Sequence, residues 1–142
     1  SDHAVNTAEW RLDVGGAVKE PFRLTYDEIQ SLPGIERKVL LICPGFFANY
    51  GRWQGISMPD LLQRAGVNEG VTHVRFSGPA GAYQKVAQYP IQAVRTNQVF
   101  LAYGVNGKRL PVKHGFPLRL VAEAYYGYDW VKYVDKVELI QI

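Results

Sequence analysis

One cysteine, Cys43, stands among 142 residues, so no internal disulfide can brace this chain. Any fold it adopts must be held by buried apolar surface. The composition supplies that surface, with 47% hydrophobic and 20% charged residues, a globular balance rather than a disordered one. A chain of this length makes one domain of ordinary size, read here as 1–142 with 1–9 as a frayed terminus. Such a domain hides about two thirds of its unfolded surface.

The hydrophobic pattern predicts many short strands and two short helices. Trp10–Val14 alternates and ends at Gly15-Gly16; Pro21–Leu24 is a second extended piece. Thr25-Tyr26-Asp27-Glu28 has capping-box spacing and opens a helix through Leu32. Glu36–Ile42 reads as a strand, central because Val39–Ile42 is apolar on both faces. Pro44–Gly55 reads as an aromatic-rich loop. Ser57-Met58-Pro59-Asp60 caps the second helix, and Gly66 stops it. Thr72–Phe76 alternates with His73 and Arg75 on the exposed side, so His73 is read as structural. Tyr83–Ile91 is ambiguous, read as a strand followed by a short turn, and Val99–Tyr103 is an apolar strand. Asn106-Gly107 is a hairpin turn, Leu118–Val121 a strand, and Trp130–Ile142 a long terminal strand or pair. Without regular βαβ alternation, the fold class expected is α+β, with mixed β-sheets and short helices.

Three constellations can carry chemistry. Cys43 ends the run Val39–Ile42 and is followed by Pro44-Gly45, so a strand ends in a thiol beside a turn. Such a residue is an inert core hydrophobe, a nucleophile, or a soft metal ligand. One Cys and three His without paired spacing cannot close a zinc site. A Cys43–His114 nucleophile pair, as in a thiol hydrolase, rests on residue types alone. The second constellation is Lys113-His114-Gly115-Phe116-Pro117-Leu118-Arg119, where His114 and Arg119 are donors suited to a phosphate or polar heterocycle. The bland reading is a solvated basic turn. The third is Tyr126–Lys132, where Lys132 follows a glycine turn and can serve a phosphate as a point charge, or simply lie outside a strand.

The net charge of +3 is scattered, with no basic stripe and no nucleic-acid motif, so nucleic acid is not an expected partner. No apolar run reaches the ~20 residues that span a bilayer. Ser1–Ala4 does not read as a signal peptide.

In order and spacing, these pieces resemble the molybdopterin-binding oxidoreductase domain of the sulfite oxidase family, which includes the catalytic subunit of the methionine-sulfoxide reductase. The resemblance runs from Trp10–Gly16 through Cys43, Trp53-Gln54-Gly55-Ile56 and Asp60-Leu61-Leu62 to Leu101–Gly107. It closes with Leu110-Pro111, His114–Val121, and Gly127 with Val131-Lys132-Tyr133. It implies the α+β fold of that family and a molybdenum–molybdopterin cofactor, with Cys43 as the protein ligand to the metal. It places His114, Arg119, Trp130 and Lys132 at the pterin and its phosphate. Arg52 and Arg95 are the cationic candidates over an anionic substrate, Arg52 being the one assigned to catalysis beside Cys43. The implied reaction is oxygen-atom transfer on a small sulfur oxyanion or sulfoxide. Electrons would pass to or from a haem or quinone partner, and the setting would be periplasmic or otherwise exported.

The chain departs from the family at Pro44–Phe47 and at Ala122-Glu123-Ala124, and nothing in Ser1–Glu9 matches the family's leading pterin contacts. The alternative is therefore a non-catalytic relative that keeps the fold and binds a pterin-like anion or a partner protein.

Overall fold

A computed structural model describes residues 5–40, 50–81, 84–122 and 130–142. Among them, ten strands form two sheets. The strands are β1 (Arg11–Gly16), β2 (Phe22–Thr25), β3 (Gly34–Leu40), β4 (Tyr50–Ile56), β5 (Val71–Ser77), β6 (Val86–Pro90), β7 (Val99–Val105), β8 (Lys108–Arg109), β9 (Arg119–Ala122) and β10 (Lys136–Gln141). The first sheet runs β2-β1-β10-β5-β6, with β1 and β10 parallel and the other pairs antiparallel. The second runs β3-β4-β7-β8, with β9 also paired to β7. A mixed sheet and short helices bear out the α+β expectation.

Helix α1 (Tyr26–Ser31) begins where the capping box lies. The Glu28 amide donates to Thr25 Oγ1 at 3.1 Å, and the Thr25 amide donates to Glu28 Oε1 at 2.9 Å. Helix α2 (Met58–Ala65) buries Met58, Leu61, Leu62 and Ala65, one stripe at helical spacing. Gly66 ends it in the left-handed region, donating its N–H to the Leu62 carbonyl. Ser57 is the N-cap residue, but its hydroxyl goes to Asp60; the Met58 amide donates instead to Asn97 Oδ1 at 2.8 Å.

One apolar core draws on both sheets and on α2, with Leu12, Val74, Phe76 and Val137 from the first sheet and Trp53, Phe100, Leu101 and Leu120 from the second. Full burial of a side chain of this kind contributes about 1.5–3 kcal/mol. Strand β7 has partners on both edges and is buried almost throughout.

Four expectations need correction. Residues 50–55 are not loop but most of β4, where Gly55 is a site of close packing. A Cβ at Gly55 would run into the Leu101 carbonyl oxygen of β7. Strand β3 ends its sheet among the described residues rather than lying centrally; Glu36 and Lys38 are exposed and keep one face in water. A third helix, α3 (Ile91–Arg95), follows β6 directly, with buried Ile91, Ala93 and Val94. The terminal strand is only Lys136–Gln141, because residues 130–135 form an irregular segment. The Glu9 and Trp10 amides both donate to the Asn6 carbonyl, and Trp10, just past the segment read as frayed, is buried.

Candidate functional site

Two residues of the second constellation, Lys113 and His114, lie in a single 3-10 turn, Val112–His114, after the extended Pro111. Gly115 ends it at φ +112°. The His114 amide donates to the Pro111 carbonyl at 2.9 Å. Three consecutive carbonyls of the turn then accept side chains from elsewhere. Val112 O accepts the Tyr133 hydroxyl at 2.8 Å, Lys113 O accepts Lys132 Nζ at 3.1 Å, and His114 O accepts Arg119 Nη1 at 3.1 Å. Gly115 makes this closeness possible: a Cβ there would lie 2.8 Å from Arg119 Cβ and 3.3 Å from Lys132 Cγ.

Arg119 opens β9 and is 3% exposed. Burying a guanidinium is costly unless its charge finds partners. Its carbon centre lies 5.4 Å from the ring centroid of Trp53 and 5.6 Å from that of Trp130. The two indoles meet edge to face at 6.0 Å. Cation–π attraction to desolvated indoles is worth about 2 kcal/mol or more, which offsets part of the burial cost. The Nε of Arg119 and the indole Nε1 of Trp53 are both fully buried N–H groups.

At the rim, Arg109 lies 5.0 Å over the ring of Phe116, and Tyr26 meets that ring edge-on at 5.3 Å. Burial raises the Tyr26 phenol above its ordinary 10.0, while the Arg109 charge works in the opposite direction. Lys113, Lys132 and Arg109 are exposed at this end, and His114 is half-buried. The arrangement joins a buried planar cation, outer cations and an indole wall. That donor set suits an anion attached to a flat heterocycle.

His114, Arg119, Trp130 and Lys132 are thus brought together. Arg52 is not. It precedes Trp53 on β4 and so points to the opposite face, where its side chain is 62% exposed and lies 3.8 Å from Glu36. Its backbone is tied to the hairpin instead, through the Asn106 amide and side chain. Arg95 ends α3, which packs on α2 and β5, as an exposed residue. His73 is half-buried, with Nδ1 2.8 Å from Thr72 Oγ1, and shares its face with Arg75. Cys43 and His3 lie outside the described residues, as do Phe46 and Phe47. The chain leaves β3 at Leu40 and enters β4 at Tyr50, its register partner, so Trp53 is three residues past the return from the Cys43 segment. Among the described residues no three His, Cys, Asp or Glu gather to hold a metal.

Sequence reasoning had Lys113 and Gly115 within the second constellation but missed Trp53 and Tyr133 as parts of the site. Trp53 had a signal, a large aromatic between glycines inside the family motif. Tyr133 had none.

Comparison with known proteins gives the family and the fold. The chain is 28% identical over 165 residues to a nitrate reductase [NADH] of Volvox carteri, covering 95% of this chain and 19% of that protein. It is 30% identical over 146 residues to the protein-methionine-sulfoxide reductase catalytic subunit MsrP of Gluconobacter oxydans, covering 92% of this chain and 47% of that protein. The chain therefore spans about half or less of the length of these relatives. Its fold matches the sulfane dehydrogenase SoxCD of Paracoccus pantotrophus with a TM-score of 0.88 at 23% identity, over 100% of this chain and 41% of that one. The model of the oxidoreductase molybdopterin binding domain matches residues 2–141, and the chain belongs to that family.

Proposed function

We propose that this chain is the molybdenum–molybdopterin domain of an oxidoreductase that transfers an oxygen atom to or from a small sulfur oxyanion or sulfoxide, with Cys43 as the protein ligand to molybdenum. The observation that carries the reading is the convergence of His114, Arg119 and Lys132 on one turn beside paired indoles. These residues fit the group. A pterin phosphate needs charge-assisted donors, and Arg119, Lys132, Lys113 and His114 supply them at one end of the fold. Gly115 lets Arg119 and Lys132 pack directly against the turn that carries Lys113 and His114.

When bound, the cofactor supplies the two-electron, oxygen-transfer chemistry. The chain's own residues bind and orient. Arg119 and Lys132 neutralise the phosphate, and His114 offers a ring donor to the pterin. Trp53 and Trp130 exclude water, which strengthens each of these interactions. Cys43 would add a soft thiolate suited to molybdenum. For Arg52 to act on an anionic substrate, its guanidinium must leave Glu36.

The reading extends to a separate haem or quinone partner and to export. A leader sequence upstream in the gene is the check on export. The names of the relatives, for nitrate and for methionine sulfoxide, define the first substrates to assay with an artificial electron donor.

The deciding experiment is metal analysis of the full-length protein, made in a host that synthesises the cofactor. About one molybdenum per chain is expected, lost on Cys43→Ala. Absence of molybdenum from the unaltered protein would sink the proposal.

A further inference from the structure

Tyr133 holds a backbone conformation that its side chain disfavours. Its φ is +60°, in the left-handed region where a bulky aromatic residue is strained. The surroundings impose it. The Leu120 amide donates to Val131 O at 2.8 Å, and the Val134 amide donates to Leu118 O at 2.9 Å, so both flanks run beside β9. Gly78 packs against the intervening peptides; a Cβ there would come within 3.1 Å of the carbonyl oxygens of both Lys132 and Tyr133. In an extended strand, consecutive side chains point to opposite faces. Here Lys132 and Tyr133 reach adjacent carbonyls of the same turn, Lys113 O and Val112 O.

We infer that Tyr133 is a positioning residue for the anion-binding turn: its left-handed backbone aims Lys132 at the turn, and its hydroxyl fixes the Val112 carbonyl, so that Lys113 and His114 stand preformed for a phosphate. This rests on the proposed cofactor site. Unengaged carbonyl oxygens repel an anion. At residues 112–114 all three are covered by donors, two of them cationic, so the turn's own dipoles oppose phosphate less. A preformed turn also avoids the ordering cost of binding.

The test uses the full-length protein from a host that makes the cofactor. Molybdenum per chain is followed through dialysis, together with Tm and amide hydrogen exchange at Gly115 and Phe116. Tyr133→Phe removes only the hydroxyl. It should lower Tm by only about 2–6 °C, speed exchange at both amides, and speed molybdenum loss about three- to tenfold, the effect of one hydrogen bond. Tyr133→Asn suits a left-handed backbone, so it should stay folded and lose molybdenum at least as fast. If molybdenum loss merely tracks a falling Tm across the two variants, Tyr133 is structural and the inference fails. If Tyr133→Phe retains molybdenum like the parent, the inference fails while the proposed function stands. A parent protein without molybdenum overturns both.

Discussion

Arg119 donates from Nη1 to the backbone carbonyl oxygen of His114 at 3.1 Å, so β9 and the turn at 112–115 are tied together. The guanidinium also lies over Trp53 and Trp130. Packing and charge can be separated at this position. Arg119→Ala opens a gap beside the indoles and removes the bond to the His114 carbonyl, so urea unfolding should show a loss of about 2–4 kcal/mol. Arg119→Met refills the volume without the charge and should recover most of that stability. Neither variant should retain molybdenum.

Gly115→Ala tests the clamp sterically. At φ +112° a Cβ is strained and would press on Arg119 Cβ at 2.8 Å. That atom is rooted in β9 and cannot swing aside. Equilibrium unfolding should show a loss of about 1–3 kcal/mol.

Gly55→Ala tests the β4–β7 contact and does not depend on function. The new methyl would meet the Leu101 carbonyl oxygen and lie 2.9 Å from Phe100 Cδ2. A loss of about 3 kcal/mol or more is expected, read as reduced soluble yield and a lower urea midpoint. Gly15→Ala is the control. Its nearest neighbour would be Pro21 Cβ at 3.9 Å, so stability should change by less than about 0.5 kcal/mol.

Glu28 gives a pH dependence. The Thr25 amide, donating to its carboxylate, holds its pKa below the ordinary 4.5, and the bond with the Thr25 side chain adds to this. A carboxylate with a depressed folded-state pKa contributes stability above its unfolded pKa, and that contribution is lost as pH falls through the folded value. Stability should therefore drop below about pH 4.5. Glu28→Gln, which keeps the capping geometry but cannot titrate, should flatten part of that acid limb in pH-dependent thermal melts.

Local chemistry was legible wherever one short segment decides the outcome. The Thr25–Glu28 box, the Gly66 stop and the Asn106-Gly107 turn are all where residue type puts them, because each uses bonds within a few residues. Family membership was legible too, through motifs spread over the chain in order. Strand β4 was not: Gly51 and Gly55 read as loop residues, and only the approach of β7 makes Gly55 a strand requirement. Helix α3 was missed because five residues without a side-chain cap carry too little local signal.

The sequence alone determined the fold class, the family, and the identity of His114, Arg119 and Lys132 as candidate anion ligands. Only the tertiary structure decided which residues share a site. It set Arg52 on the face opposite Trp53, and it drew Trp53, Trp130 and Tyr133 to the turn at 112–115. The reason is physical. Side-chain alternation along β4 and the left-handed backbone at Tyr133 are imposed by partners far away in the chain, and no residue type announces a conformation that its neighbours in space enforce.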